Sequence, residues 1–301
     1  MRKHRAVFIG CVQFSRAMLD DLLVLSEIDL CGVVTRQSSA INTDFVDLSG
    51  VAAGRGIPVL YAAGNEQEEI ASWIKAREAD ICFCLGWSYL LKQPILSAAP
   101  LGVVGYHPTL LPRNRGRHPI IWALALGLKE TGSTFFLMDE GADSGPILSQ
   151  IRVPIGEDDD AASIYGKLIG IGRAQLRSLV GDLQEGTLTG VPQDSASATH
   201  WRKRGVDDGR IDWRMPAEGI HNLVRALSPP YLGAHANFRN AEIKVWKTRL
   251  GTVGAVDVEP GYVINRNGRD IHVQCGVGSI VLERHGFGQV QGAPLQRGDY
   301  L

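Results

Sequence analysis

A histidine and an acidic turn carry the chemistry that can be read from this chain. The run "GVVGYHPTLLPRNRGRHP", residues 102–119, leaves an apolar segment on His107 and enters a loop holding Arg113, Arg115, Arg117 and His118. The turn "DEGADSG", residues 139–145, carries Asp139, Glu140 and Asp143. A carboxylate beside an imidazole fixes the ring's tautomer and equips it to take and return a proton, the core of general acid–base chemistry. Plainer readings exist for the same residues. His107 can close an ordinary strand before an exit loop, Arg115 and Arg117 can hold loop carbonyls, and a Gly-rich turn can carry solvated acids.

Other chemistries have no signature here. The first glycine-bearing loop, "GCVQFS" (10–15), lacks GxGxxG, and neither a GxxxxGK[ST] loop nor a G-x-S-x-G elbow occurs. The five cysteines, Cys11, Cys31, Cys82, Cys84 and Cys275, are scattered and mostly apolar in context. They read as reduced core thiols rather than a disulfide framework. Cys82 and Cys84 lack partners at ligand spacing, so no metal site is expected. With 31 Lys and Arg against 32 Asp and Glu, the net charge is −1. Such a chain has no global field for nucleic acid, and an anionic ligand must be met by local cations. No stretch has the length of a membrane span, and the apolar run in "MRKHRAVFIG" is too short for a signal peptide. A soluble cytoplasmic chain with no membrane partner is expected.

The elements that must position these residues alternate regularly. "AVFIG" (6–10), "LCGVVT" (30–35), "IPVLY", "ADICFCLG" (79–86) and "GVVGYH" (102–107) read as buried strands. Between them, "FSRAMLDDLLVL" (14–25), residues 43–54 and "EQEEIASWIKAR" have helical character. "HPIIWALALG" extends this pattern as a helix, "STFFLMD" and "PILSQIRVPI" as strands, and "AASIYGKLIGIGRAQLRSLVGDLQEG" as a long helix. Strand and helix in alternation predict an α/β domain with a doubly wound, mostly parallel sheet over residues 1–190. Residues 191–208 are polar and unpatterned and read as a linker. Residues 209–301 begin with the helix "PAEGIHNLVRAL" and continue in short alternating segments, with "NRNG" as a hairpin signal. A small antiparallel β domain or barrel is expected there.

Taken together, these motifs resemble the formyltransferase family that uses 10-formyltetrahydrofolate. Its core motif, roughly Asn-x-His-x-Ser/Thr-Leu-Leu-Pro-x-x-Arg-Gly, is matched by "GYHPTLLPRNRG" at His107, Thr109, Leu110, Leu111, Pro112, Arg115 and Gly116. "ETGST" (130–134) with "DEGADSG", then "DGRIDW" (208–213), "LVRALSPPYLGA" and "IKVWK", extend the likeness over nearly the whole chain. The resemblance implies a Rossmann-like transferase domain followed by a small OB-like β-barrel domain. It also implies N10-formyltetrahydrofolate as co-substrate and no metal. His107 would then be the general acid/base and Asp143 the carboxylate that orients it. The folate would lie against Tyr89, Leu90, Leu91, Arg117, Asp139, Glu140, Gly141 and Ala142. One position departs from the pattern: the family's oxyanion-stabilising Asn, two residues before the histidine, is Gly105 here. Losing such a donor typically costs about 100- to 1000-fold in rate. A main-chain amide, a water, Asn114 or His118 are the candidate replacements.

Members of this family differ in their acceptor. The tRNA enzymes carry a long lysine-rich insertion after the second strand, whereas "TRQSSAINTDFVDLSGVAAGRGIPV" is short, with Arg36 and Arg55 its only cations. The chain therefore looks more like the sugar-nucleotide N-formyltransferases, with a nucleotide-linked amino-deoxysugar as partner and no nucleic acid. Candidate acceptor contacts are Phe14, Ser15, Arg16, Thr109, Arg113 and Arg115. The alternatives are a methionyl-tRNA formyltransferase, or a folate- or nucleotide-binding relative with weak or hydrolytic activity. In sugar-modifying relatives such C-terminal modules can pair subunits, which leaves room for a homodimer.

Overall fold

A computed structural model describes residues 2–40, 43–64, 66–239, 241–252, 254–255, 257–287 and 295–301. The chain divides into two compact units. The first comprises Met1–Pro119, Thr131–Val153 and Gly166–Arg202; the second comprises Ile120–Glu130, Pro154–Tyr165 and Lys203–Leu301.

The first unit is built on alternating apolar runs and amphipathic helices. In chain order these are β1 (His4–Ile9), α1 (Gln13–Leu22), β2 (Ile28–Thr35), α2 (Ser49–Ala53), β3 (Val59–Tyr61), α3 (Gln67–Lys75), β4 (Ile81–Cys84), α4 (Gln93–Leu96) and β5 (Val103–His107). After a two-residue strand, β6 (Arg115–Gly116), the chain passes through α5 (Pro119–Ala125), which falls in the second unit apart from Pro119. It continues with β7 (Glu130–Leu137), β8 (Ile147–Pro154) and the long α6 (Ala161–Glu185), whose residues before Gly166 are also assigned to the second unit. The sheet runs β3-β2-β1-β4-β5-β7-β8. The pairs from β3 to β5 are parallel and β7 is antiparallel to β5. Strand order reverses between β1 and β4, the crevice where doubly wound sheets collect ligands. Continuous apolar runs are required because both faces are covered. Val7 and Ile9 pack with Ile70 and Ile74 of α3, while Phe8 between them is fully buried too.

The helix expected over residues 43–54 is confined to α2. The chain before it is held against the loop after β1, with Gln13 N–H on the Asp44 carbonyl and Val46 N–H on the Cys11 carbonyl. Backbone groups spent on that loop are unavailable for a helical ladder.

The polar stretch read as a linker carries defined structure. It contributes a short strand, β9 (His200–Trp201), that pairs in parallel with β6. In the second unit, α7 (Ala217–Ala226) precedes β10 (Ala234–Phe238), β11 (Ala241–Leu250), β12 (Val263–Asn267), β13 (Asp270–Gln274) and β14 (Ser279–His285). They form an antiparallel sheet of order β10-β11-β14-β13-β12. Ile220 and Val224 of α7 share its core with Val245, Val273 and Leu282. Asn267 pairs with Asp270, so Gly268 and Arg269 form the hairpin turn signalled by "NRNG". No helix among the described residues is long and apolar enough to cross a membrane.

Candidate active site

His107 is the last residue of β5, opposite Thr134 of β7, and is only 5% exposed. Its Nδ1 lies 3.5 Å from Asp143 Oδ2 and its Nε2 lies 2.9 Å from the Asn114 carbonyl oxygen. A carbonyl only accepts, so Nε2 supplies the hydrogen of that contact. A neutral ring then has only a lone pair to offer Asp143, whereas the doubly protonated ring donates to both neighbours. Asp143 Oδ2 also accepts the Gly116 N–H at 2.9 Å. The geometry thus holds an imidazole and a carboxylate together in a shape suited to handling a proton.

The loop behind the ring is tied down by short hydrogen bonds. Thr131 Oγ1 donates to the Pro108 carbonyl at 2.8 Å, and Thr134 Oγ1 to the Thr109 carbonyl at 2.6 Å. On its other side, residues 199–201 run alongside. Arg115 N–H donates to the Thr199 carbonyl and Arg117 N–H to the Trp201 carbonyl. Thr199 Oγ1 accepts the Asn114 N–H at 2.8 Å. Gly116 has φ +109°, and a Cβ there would run into the Trp201 carbonyl, so only glycine allows this close approach.

Among the side chains expected to bind folate, Leu91 is buried and Leu90 is exposed. Arg36 lies over the Tyr89 ring at 5.2 Å. Arg117 Nη1 donates to the Ser88 carbonyl at 2.9 Å, linking the motif loop to the loop after β4. Asp139 Oδ1 accepts from Gly141 N–H at 3.1 Å and Ser144 Oγ at 2.6 Å, which shapes the acidic turn. Glu140, Gly141 and Ala142 are exposed on it. Trp87, in the same loop as Tyr89, has a buried indole N–H with no hydrogen-bond partner among the described residues.

Four of the six expected acceptor contacts have partners within the fold itself. Phe14 is buried and stacks on Tyr106 at 4.1 Å. Ser15 is fully buried; its hydroxyl accepts the Val12 N–H and donates to the Leu85 carbonyl. Thr109 is fully buried, with Oγ1 donating to the Arg113 carbonyl. Arg115, 6% exposed, directs Nε and Nη2 onto Gln193 Oε1 at 3.2 and 2.7 Å. Arg16 pairs with Asp20 one turn along α1 at 2.9 Å, and Arg113 is exposed.

At Gly105 a Cβ would lie 2.7 Å from Met138 Cγ and 3.0 Å from Phe136 Cζ. Apolar side chains line this position. Asn114 Oδ1 accepts the Thr199 hydroxyl at 3.2 Å. Gln193, Thr199 and Met138 escaped the sequence reading, since none lies in a motif with a chemical signature. Among the described residues no cluster of His, Cys, Asp and Glu could hold a metal ion.

Comparison with known proteins adds the family. Residues 20–177 match the formyl transferase family and residues 205–291 its C-terminal domain. A methionyl-tRNA formyltransferase from Acidithiobacillus ferrooxidans is 33% identical over 305 aligned residues, covering 98% of this chain and 96% of that protein. Similar folds include the N-formyltransferase from Helicobacter canadensis solved with folinic acid and dTDP-3-aminofucose, at TM-score 0.70, 17% identity and coverage of 93% and 99%. The sugar 3N-formyl transferase WlaRD, solved with dTDP and 5-N-formyl-THF, gives TM-score 0.69, 16% identity and coverage of 94% and 98%. With the family's two domains matched in order and a relative aligned end to end, this chain belongs to the formyl transferase family.

Proposed function

We propose that the protein moves the formyl group of N10-formyltetrahydrofolate to the amine of a nucleotide-linked amino-deoxysugar, with His107 as general acid/base and Asp143 as its orienting partner. In this reading residues 1–190 perform the transfer and residues 191–208 lead to the C-terminal domain, 209–301. The observation that carries the reading is the buried His107–Asp143 contact within the matched motif.

The formyl donor supplies an activated one-carbon unit and leaves as tetrahydrofolate. Attack by the amine forms a C–N bond, the bond to N10 of the folate breaks, and one proton passes from the amine to N10. His107 can take that proton on Nε2 once this nitrogen has left the Asn114 carbonyl and the ring's hydrogen sits on Nδ1, facing Asp143, so that Nε2 offers a lone pair. Asp143 stabilises the ring while it is charged. Residues toward the folate are chemically suited to a pterin: Leu91, Trp87 and Tyr89 offer apolar and aromatic surface, and the orphaned Trp87 N–H offers a donor. Gly105 supplies no side-chain amide to the oxyanion, which leaves a main-chain amide, a water, Asn114 or His118 as the candidate donors.

Charge supports this choice of acceptor class. The segment after β2 has two cations, Arg36 and Arg55, too few to grip an RNA stem. The test is a panel of UDP-, dTDP-, GDP- and CMP-linked amino sugars with 10-formyltetrahydrofolate, following tetrahydrofolate release. Turnover with one of them supports the reading; formylation of Met-tRNA with no sugar turnover overturns it. That second reading has its own support in the 33% identity to a methionyl-tRNA formyltransferase. Equal folate release with and without amine would instead indicate a hydrolase.

A further inference from the structure

We infer that Gln193 is a positioning residue for the His107–Asp143 pair, holding the turn that presents the Asp143 carboxylate; the inference rests on the acid–base role proposed above. Gln193 lies 50 residues beyond Asp143, in the polar stretch that the sequence marks only as a linker. Its amide is used in two directions. Oε1 accepts Nε and Nη2 of Arg115 at 3.2 and 2.7 Å. Nε2 donates to the carbonyls of Asp143 at 2.9 Å and Gly145 at 2.7 Å.

Those carbonyls flank Ser144, so one amide spans the turn. Asp143 sits there at φ +55°, a conformation that L-residues adopt rarely and that neighbours must hold in place. The Asp143 side chain is held separately, by the Gly116 N–H on Oδ2. Gly116 follows Arg115 directly, and Arg115 is anchored on Gln193. The contacts form a closed circuit from Arg115 to Gln193, to the Asp143 backbone, to the Asp143 carboxylate and back through Gly116. The circuit needs one side chain that accepts from a cation and donates to two carbonyls. A primary amide does both; a carboxylate or an ammonium does one. Without the two donors, residues 143 and 145 lose their tether, and Asp143 is free to leave its 3.5 Å contact with His107.

The test compares Gln193→Leu and Gln193→Glu with the parent, using His107→Ala and Asp143→Asn as references. One readout is kcat and KM with 10-formyltetrahydrofolate and dTDP-3-aminofucose. The other, which needs no acceptor, is the ring-nitrogen NMR shift of His107, identified by its absence from His107→Ala. Both Gln193 variants should lose about a hundredfold in kcat, the cost of a misplaced catalytic group, with KM for the folate changed by less than about threefold. The His107 ring shifts should move toward those of Asp143→Asn. Gln193→Glu is decisive, because it keeps the volume and the Arg115 anchor but cannot donate to the turn. If Gln193→Glu keeps the parental kcat and ring shifts, Gln193 only anchors Arg115 and the inference falls. If His107→Ala or Asp143→Asn turns over at the parental rate, the acid–base reading falls. If the protein takes another acceptor, the ring shifts alone decide what Gln193 does.

Discussion

Replacing Asp143 by Asn removes one charge and almost no shape. The amide oxygen can keep the Gly116 N–H bond now made by Oδ2 at 2.9 Å, so the turn should survive. What disappears is the attraction between the carboxylate and a protonated His107 ring at 3.5 Å. Two unit charges at that separation interact by about 5 kcal/mol at an effective dielectric of about 20. Asp143 keeps a 20% exposed side chain and spreads its charge over two oxygens, and the amide dipole replaces part of the attraction. About 3–4 kcal/mol then remains, which at about 1.4 kcal/mol per decade predicts a kcat lower by two to three orders of magnitude. The assay is steady-state tetrahydrofolate release, with thermal unfolding by circular dichroism as the control for fold. If Asp143→Asn stays within about fivefold of the parent while His107→Ala is inactive, the ring works without its carboxylate and the reasoning fails.

Three further outcomes follow from packing and charge. Gly105→Ala should cost about 1–3 kcal/mol in urea unfolding by pressing on Met138 and Phe136. Adding Met138→Ala should recover part of that cost, and strictly additive effects would show that the two sites do not touch. Gly116→Ala puts a Cβ against the Trp201 carbonyl at a φ of +109° and should lose more than about 2 kcal/mol, with activity falling as well; parental stability would contradict the close approach. In the second unit, burial is the main cause holding His221, His235 and His285 below the ordinary imidazole value. The unfolded chain takes these protons near about pH 6.5 and the folded one resists them, so stability is full above that pH and lost below it. The melting temperature should drop between about pH 7.5 and about pH 5.5, and His235→Asn should shrink the drop; an unchanged drop would exclude His235 as a contributor.

The parallel strands were legible because β1, β4 and β5 are covered on both faces, which demands the continuous apolar runs "AVFI", "ICFC" and "VVGYH". The hairpin at Gly268 was legible from its turn residues. The helix expected over 43–54 was overdrawn, since its composition permits a helix but Val12 and Phe45 pair their backbones instead. Thr109 and Arg115 are motif residues, Ser15 stands near the start of α1, and all three have the chemistry to meet a ligand. Nothing local shows that their polar atoms are already committed to the Leu85 carbonyl, the Arg113 carbonyl and Gln193.

By itself, the sequence determined the order of strands and helices and the motif that joins His107 to the acidic turn. These depend on periodicity, turn residues and spacing, which are properties of neighbours along the chain. Only the tertiary structure decided which polar side chains remain available, what surrounds Gly105, and that a glutamine from an unpatterned stretch reaches the Asp143 turn. Each of these depends on where a buried donor finds its acceptor, and in a packed interior that partner comes from chain tens of residues away.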